Sequence, residues 1–455
     1  MLSPDAAVAT ARLVHKVHTE ERAMLDVVRL FFKGRQRLPA VIPVGSPREV
    51  RVMAASSRVN MMPIVVNSLV QASSVEGIRD GNGDPLPDLW GAWQSNRFDA
   101  RQTAVYRAAA QYGVAYTVVL PGKPYPVIRS VSPRSMATLY GDDPDWPVFA
   151  LERLPRGGGK RWRLYDSEHV YELRGDMEGF EWLSTSVHGA EVTPVVRFLD
   201  EIDDDDEDEP QSQATRMPNE QETTTRGQVA PLMGLQDQID LTTFALQIAT
   251  HYAGSKQRYV IGWAADTEVD AIKAGATTLF TLDEDPAKVQ MGEFAQSDLT
   301  GFIKSREASL KHGAALSQTP VHELTADIIQ MSAEALAAAE AGKERKSQER
   351  HTIWGEATEQ QMWLAGKYMG IDVPLDSQVV WRDTSARSFA ATVDALGKLS
   401  SLLGVPPQEL WERIPGVTQQ DVERYRKAAE QGNAFSQLAT MLDQQAAGAP
   451  APANA

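Results

Sequence analysis

Between Arg226 and Gly370 two helical patterns flank a short β-rich excursion, and this order restricts how the chain can close on itself. In the first pattern Leu232, Leu235, Ile239, Thr242, Leu246, Ala249 and Ala253 recur at alternating steps of three and four, so they share one helical face, and Gly254 closes the run. Arg258-Tyr-Val-Ile-Gly-Trp263 and Thr278-Leu-Phe-Thr-Leu282 follow, both β-branched and aromatic, on either side of a small acidic and alanine-containing segment. They predict a compact β-containing knob. The second helical pattern opens at Ser297-Asp298, good N-cap chemistry, and runs through Leu299, Phe302, Ile303 and Leu310 toward Leu316. Pro320 breaks it.

A longer helix is predicted from near Ser332, with Ala335, Leu336 and Ala339 on its apolar side. It continues through Lys343-Glu-Arg-Lys-Ser-Gln-Glu-Arg350 and on to Ile353, Trp354, Ala357, Leu364 and Tyr368. A glycine inside a helix costs about 1 kcal/mol relative to alanine, so Gly342 marks an expected bend or end. Two short motifs punctuate this region, Gln228-Val-Ala-Pro-Leu-Met-Gly-Leu-Gln-Asp-Gln-Ile239 and Met331-Ser-Ala-Glu-Ala335, and a third, Val379-Val-Trp-Arg-Asp383, follows it.

The order of helix, β knob, returning helix, polar loop and long kinked helix, together with those motifs, resembles the portal proteins of tailed bacteriophages, closest to the compact type of long-tailed phages. The resemblance spans about residues 20 to 430. It implies an α+β fold with a wing (1–226, including an acidic loop at 200–226), a first stem helix (227–254), a clip (255–296), a second stem helix (297–316), a tunnel loop (317–331), a long wing helix with its following strand (332–385), a helical crown (386–431) and a disordered tail (432–455). It also implies a homo-oligomer, a twelve-subunit ring at one capsid vertex of the virion. The ring's channel would pass double-stranded DNA, and its partners would be the terminase large subunit, a head-tail adaptor, and the major capsid and scaffolding proteins. ATP hydrolysis would belong to the terminase.

On that reading Thr319, Val321, His322 and Leu324 are tunnel-loop candidates, and Arg258, Tyr259, Trp263 and Phe280 are contacts or subunit-interface residues of the clip. A folded knob could equally bury these aromatics in its own core. Lys343, Arg345, Lys346 and Arg350 form a small basic excess, as do Lys304, Arg306 and Lys311. They are candidates for transient contact with DNA phosphates. The competing reading is ion pairing on helix surfaces or between subunits.

Composition bears on what else the chain could be. With no cysteine, disulfides, thiolate metal sites and thiol catalysis are excluded. The amino terminus lacks a basic region followed by an apolar run, and no stretch approaches the roughly 20 apolar residues of a membrane span, so a soluble, intracellular protein without a membrane partner is expected. The net charge is −16, and Asp200–Glu209 holds nine acids and no base. Such a run reads as a solvated, mobile loop continuing to residue 226. A carboxylate metal site is the sharper alternative, and with it a metal-dependent nuclease.

The first 226 residues predict an α+β unit. A helix runs from Leu13 to Phe31 and ends near Gly34, a second covers Met61–Ala72, and a third carries Leu89 through Ala109 to Tyr112. Strands are expected at Val75–Arg79, Ala115–Leu120, Pro126–Ser132, Val148–Leu154, Arg161–Asp166 and His169–Leu173. Pro155-Arg-Gly-Gly-Gly-Lys160 lacks the spacing and following helix of a phosphate loop and reads as a hairpin turn. Beyond residue 375 come a strand to Trp381, a helix from Ser388 and two short helices around Pro415-Gly416. The last of these is too acidic for a DNA-reading head.

Enzymatic chemistry is not expected. His15 with His18, and His312 with His322, lack a third ligand, and neither a nucleophile elbow nor a dinucleotide fingerprint is present. No cofactor and no metal are expected. An acidic conduit suits DNA passage, because each fixed cation on a phosphate adds salt-sensitive affinity. A non-ring interaction protein of the capsid, with a simple helical hairpin, is the other open reading.

Overall fold

The computed structural model describes residues 1–37, 42, 45–154, 161–176, 179–202, 227–253, 258–261, 290–293, 299–325, 333–374, 376–382, 389–411, 414, 417, 421–422, 424–429 and 431. The fold is α+β, with several antiparallel sheets and long helices. Helix α1 (Pro4–Phe32) starts on Ser3, whose hydroxyl accepts from the Ala6 amide at 3.2 Å, with Pro4 in its first turn. Its small buried residues Ala7, Ala11 and Val14 lie on one stripe and pack on Leu151, Trp162, Tyr171 and Phe180. These belong to a five-stranded antiparallel sheet of order β4-β5-β6-β7-β8: Met136–Leu139, Phe149–Leu154, Arg161–Tyr165, His169–Asp176 and Gly179–Val187. Farther along, Leu25 and Val28 enter the main core, so α1 joins two packed units.

The main core is built on helix α3 (Met62–Gln71), helix α5 (Phe98–Tyr112) and a three-stranded sheet of order β3-β2-β9: Val127–Val131, Val114–Leu120 and Val195–Leu199. A short helix α2 (Arg48–Ser56) precedes α3. The third predicted helix is in fact two, α4 (Pro87–Ser95) and α5, and the expectation of one continuous helix is corrected. Asn96 explains the break. Its buried side-chain amide donates to the carbonyls of Ala92 (2.9 Å) and Pro126 (2.8 Å) and accepts from the Ile128 amide (2.9 Å), tying the turn to β3. Arg97 then takes φ 54°, a left-handed conformation that ends one helix and starts the next.

Most predicted strands are present, and β5 and β6 form the expected hairpin arms, with Leu154 opposite Arg161. The turn residues 155–160 lie outside the described residues. Strands β4, β8 and β9 were not anticipated, although β9 supplies the second edge of β2. Strand β1 (Val75–Arg79) pairs antiparallel with β12 (Gln378–Trp381), so a segment 300 residues downstream closes against the amino-terminal unit.

Helix α6 (Met233–Ala253) follows a 3₁₀ turn at Ala230–Leu232. Strand β10 (Arg258–Ile261) pairs antiparallel with β11 (Gln290–Glu293), a partner the sequence pattern does not identify. Residues 278–282 lie outside the described residues. Helix α7 (Thr300–Ser317) returns along α6: Leu235 meets Gly313 at one end, and Leu241 and Ala245 share a groove with Gly301, Phe302 and Ser305 at the other. Its first turn is capped by Leu299 without a side-chain hydrogen bond, and Ser297-Asp298 lie outside the described residues. The expected loop contains a five-residue helix, α8 (Val321–Thr325).

Helix α9 (Ala333–Met369) runs 37 residues without interruption through Gly342, which is therefore not an end. Trp354 is its largest fully buried side chain among the described residues. The indole stacks on Tyr106 at 4.8 Å and 8°, and its Nε1–H donates to the Leu199 carbonyl at 2.8 Å, joining α9 to both α5 and β9. Helix α10 (Phe389–Leu403) and the short α11 (Pro407–Leu410) follow. Replacing Trp354 by alanine should cost about 3–5 kcal/mol, as expected for deleting a large buried aromatic. Urea unfolding of the unassembled chain measures this, and a loss below about 1 kcal/mol would show that the stack contributes little.

Candidate functional site

The basic excess and the predicted loop meet at one place, where α7, α8 and α9 converge. Helix α7 ends at Ser317, and Gln318 takes a left-handed φ of 52°. The Ser317 hydroxyl donates to the Gly313 carbonyl (2.7 Å) and contacts the Thr319 hydroxyl (3.0 Å), while the Thr319 amide reaches back to the Ala314 carbonyl (3.0 Å). This fixes the turn that swings the chain into α8. The three helices line a half-open cavity of about 820 Å³. Lys311 from α7, Thr319 from the turn, Val321 and His322 from α8, and Arg345 and Lys346 from α9 all line it.

Three of the four loop candidates therefore face a common space. Thr319 is buried in the turn and Val321 is exposed. The fourth, Leu324, instead packs against the main core. Among the cations, Lys311 and Arg345 are exposed at the cavity. Lys304 is exposed and Arg306 half-buried farther along α7. Lys343 donates to Glu323 Oε1 at 2.6 Å.

Lys346 and Arg350 are placed differently from the expectation that they face a channel, because both are buried in this chain. Arg350 donates through Nε to Asp200 Oδ1 (3.3 Å) and through Nη2 to Glu201 Oε1 (2.5 Å), and is ion-paired with Glu349 at 2.9 Å. Lys346 donates to the Gln228 side-chain carbonyl and to the Ser317 carbonyl (2.7 Å). Gln228 in turn donates to Asp200 Oδ2. The backbone holds this pair in place, since the Asp200 amide donates to the Gly113 carbonyl (2.9 Å) and the Gln228 amide to the Ala110 carbonyl (2.8 Å).

The acidic run thus begins differently from its expected solvated character. Asp200 is fully buried and partnered, while residues 203–226 lie outside the described residues. Burial pushes the Asp200 carboxyl up to about 6 despite Arg350 beside it, and pulls the Lys346 ammonium down to about 8. His18, singled out with His15, is a buried packing residue. Its Nε2 lies 3.1 Å from the Arg134 carbonyl, both rings pack on Trp162, and burial lowers the His18 imidazole to about 4. Arg258 and Tyr259 are on β10, opposite Glu293 and Gly292. Trp263 and Phe280 lie outside the described residues.

A polar anchor that the sequence pattern does not signal sits at the base of α6. Asp240 accepts from the Val59 amide (3.0 Å), Gln236 Nε2 (2.9 Å) and Gln36 Nε2 (2.8 Å), while Gln236 accepts from the Met61 amide (3.0 Å) and donates to the Val59 carbonyl (2.8 Å). Both side chains fall on the buried stripe, where an apolar-periodicity search does not look for them. Among the described residues no helix is long and apolar enough to cross a membrane.

The arrangement is one of packing, charge pairing and a cation-rimmed cavity. The model for the family "Phage portal protein, SPP1 Gp6-like" matches residues 48–434. The chain belongs to that family of tailed-phage portal proteins. It is similar to the portal protein of Mycobacterium phage D29, 27% identical over 437 residues that cover 90% of this chain and 86% of that protein. It is equally similar to the portal protein of Mycobacterium phage L5, 27% identical over 438 residues with the same coverage. Among solved structures, the neck of a native GTA particle computed with C12 symmetry aligns at 14% identity and a TM-score of 0.45, covering 81% of this chain and 92% of that one.

Two outcomes test the buried cluster. Arg350→Ala leaves Asp200 buried without its cation and should cost about 3–5 kcal/mol. The pH dependence has a defined sign. The unfolded carboxyl titrates near about 3.9 and the folded one higher, so folded chains retain the Asp200 proton through that window and this group makes the chain less stable as pH rises from about 4 to 6. Asp200→Asn should remove that contribution in urea unfolding followed across the window, and identical slopes for parent and variant would rule it out.

Proposed function

We propose that this portal protein assembles as a closed ring of twelve subunits at one capsid vertex, with an axial channel for double-stranded DNA during packaging and ejection. In this assembly α6 and α7 are the stem, residues 255–296 the clip, residues 317–331 the tunnel loop, the amino-terminal unit with α9 the wing, and residues 386–431 the crown. The terminase large subunit and a head-tail adaptor dock on the clip, through Arg258, Tyr259, Trp263 and Phe280. The major capsid and scaffolding proteins meet the outer surface. The protein is a structural conduit of the virion rather than an enzyme.

The observation that carries this reading is the incomplete covering of the α6–α7 hairpin within one chain. Leu241, Phe302, Ile303 and Leu316 are 42%, 38%, 46% and 68% exposed, although Ile239, Phe244, Leu310 and Ala314 on the same two helices are buried. Apolar side chains left uncovered on a long hairpin favour a neighbouring subunit, and a closed ring provides one on each side. Within the ring, Lys311 and Arg345 touch passing phosphates from the cavity, with Lys304 and Arg306 as further contacts, while Lys343 is held by Glu323. Lys346 and Arg350 serve the buried cluster instead.

Mass determination and electron microscopy along the particle axis test the assembly. Twelve copies of the 49.9 kDa chain weigh about 600 kDa, and closure exposes a central hole. A stable monomer or dimer at high concentration would favour a non-ring capsid interaction protein. The double variant Lys311→Gln, Arg345→Gln should keep the ring while reducing DNA packaging or retention. Its affinity for DNA should also depend less steeply on salt, by about 0.9 in the log–log slope for each phosphate that the variant no longer neutralises. Loss of the ring in this variant would assign the two cations to subunit pairing.

A further inference from the structure

Beside the cavity is a cluster that DNA passage does not use. His322 and Glu323 are consecutive on α8, and Glu340 projects from the early turns of α9. One imidazole nitrogen and one carboxylate oxygen from each glutamate lie within 4.8 Å of one another. His322 Nε2 is 3.8 Å from Glu340 Oε1, and the three side chains are only 14%, 22% and 31% exposed. Sequence spacing pairs His322 with His312 and offers no third ligand, whereas the fold supplies Glu340 from across the turn.

We propose that His322, Glu323 and Glu340 bind a divalent first-row transition-metal ion of the zinc class, which bridges α8 to α9. One imidazole with two carboxylates is a donor set suited to zinc and its neighbours, whereas calcium and magnesium favour all-oxygen shells. A tetrahedral shell with bonds of about 2.1 Å sets its ligand atoms about 3.4 Å apart, so side-chain rotation brings this trio into range. His322 also lines the cavity, and Gly342 has open space beside it, leaving room for water to complete the shell.

Lys343 sets the strength of the site. Its ammonium sits 2.6 Å from Glu323 Oε1 and acts as a resident cation that an incoming metal displaces. Affinity is therefore moderated by that competition, and removing Lys343 strengthens the site. The bound ion ties a five-residue helix to a 37-residue one. This inference stands on the side chains alone and does not depend on ring assembly.

The experiment uses the full chain, stripped with a chelator and free of any polyhistidine tag. Cobalt(II) is titrated by its visible absorption and zinc by calorimetry. One ion per chain is expected, with affinity falling at least tenfold in His322→Gln and in Glu340→Gln and rising in Lys343→Met. Circular dichroism and native mass confirm that each variant is folded. Unchanged affinity in both His322→Gln and Glu340→Gln would overturn the proposal, as would the absence of saturable binding to both the parent and Lys343→Met. Because binding is read in whatever assembly state the protein adopts, this result and the test of the ring remain separate.

Discussion

The ion pair between Arg350 and Asp200 fixes the relation between the parts of this protein. Asp200 ends the segment leaving β9, and Gln228, bonded to it, starts the segment leading into α6. Arg350 and Lys346 come from the middle of α9, and Lys346 also holds the carbonyl at which α7 ends. Four chain segments that are distant in sequence thus share one desolvated polar knot, anchored by backbone bonds to the end of α5. Burying charges is costly unless every partner is present, so the knot tolerates only one mutual placement of these segments. Apolar packing around Trp354 supplies cohesion, and the knot supplies register.

Much of the fold was legible because it follows simple periodicity. The run from Leu13 to Phe31, the apolar Ala115–Leu120 and the β-branched Val379-Val-Trp381 each carry one plain element signal, and α1, β2 and β12 form there. The failures have physical causes. Asn96 looks innocuous within a helical pattern, yet its amide is recruited by the backbone of β3, and that tertiary demand splits the helix. Strands β8 and β9 carry strand-like residues, Trp182, Thr185 and Val187 in one and Val195, Val196 and Phe198 in the other, so their signal is present in the sequence.

The site was less legible than the fold, because charge clustering along a sequence does not reveal what each charge faces. Lys343, Arg345, Lys346 and Arg350 are nearly contiguous, yet a helix sends them in different directions. Arg345 faces the cavity, Lys343 meets Glu323, and Lys346 and Arg350 enter the knot. The same holds for the acidic run. Asp200 is chemically indistinguishable from its neighbours in the sequence, and only the strand ending at Leu199 carries it inside. Lys311 converging with Arg345 required knowing that α7 and α9 flank one cavity, information set by the turn at Gln318 and not by spacing.

The attachment of the α6–α7 hairpin accounts for its surface. Gln236 and Asp240 hold α6 to residues 59–61 through directional hydrogen bonds, so the hairpin's orientation is set by the body of its own chain. A hairpin held only by apolar contacts could roll to bury Phe302 and Ile303 against itself, because such contacts are non-directional. The polar anchor opposes that rotation for α6, so Leu241 stays presented outward. In the ring we propose, each stem would thus meet its neighbour at an angle dictated from within, and twelve identical angles would add up to closure.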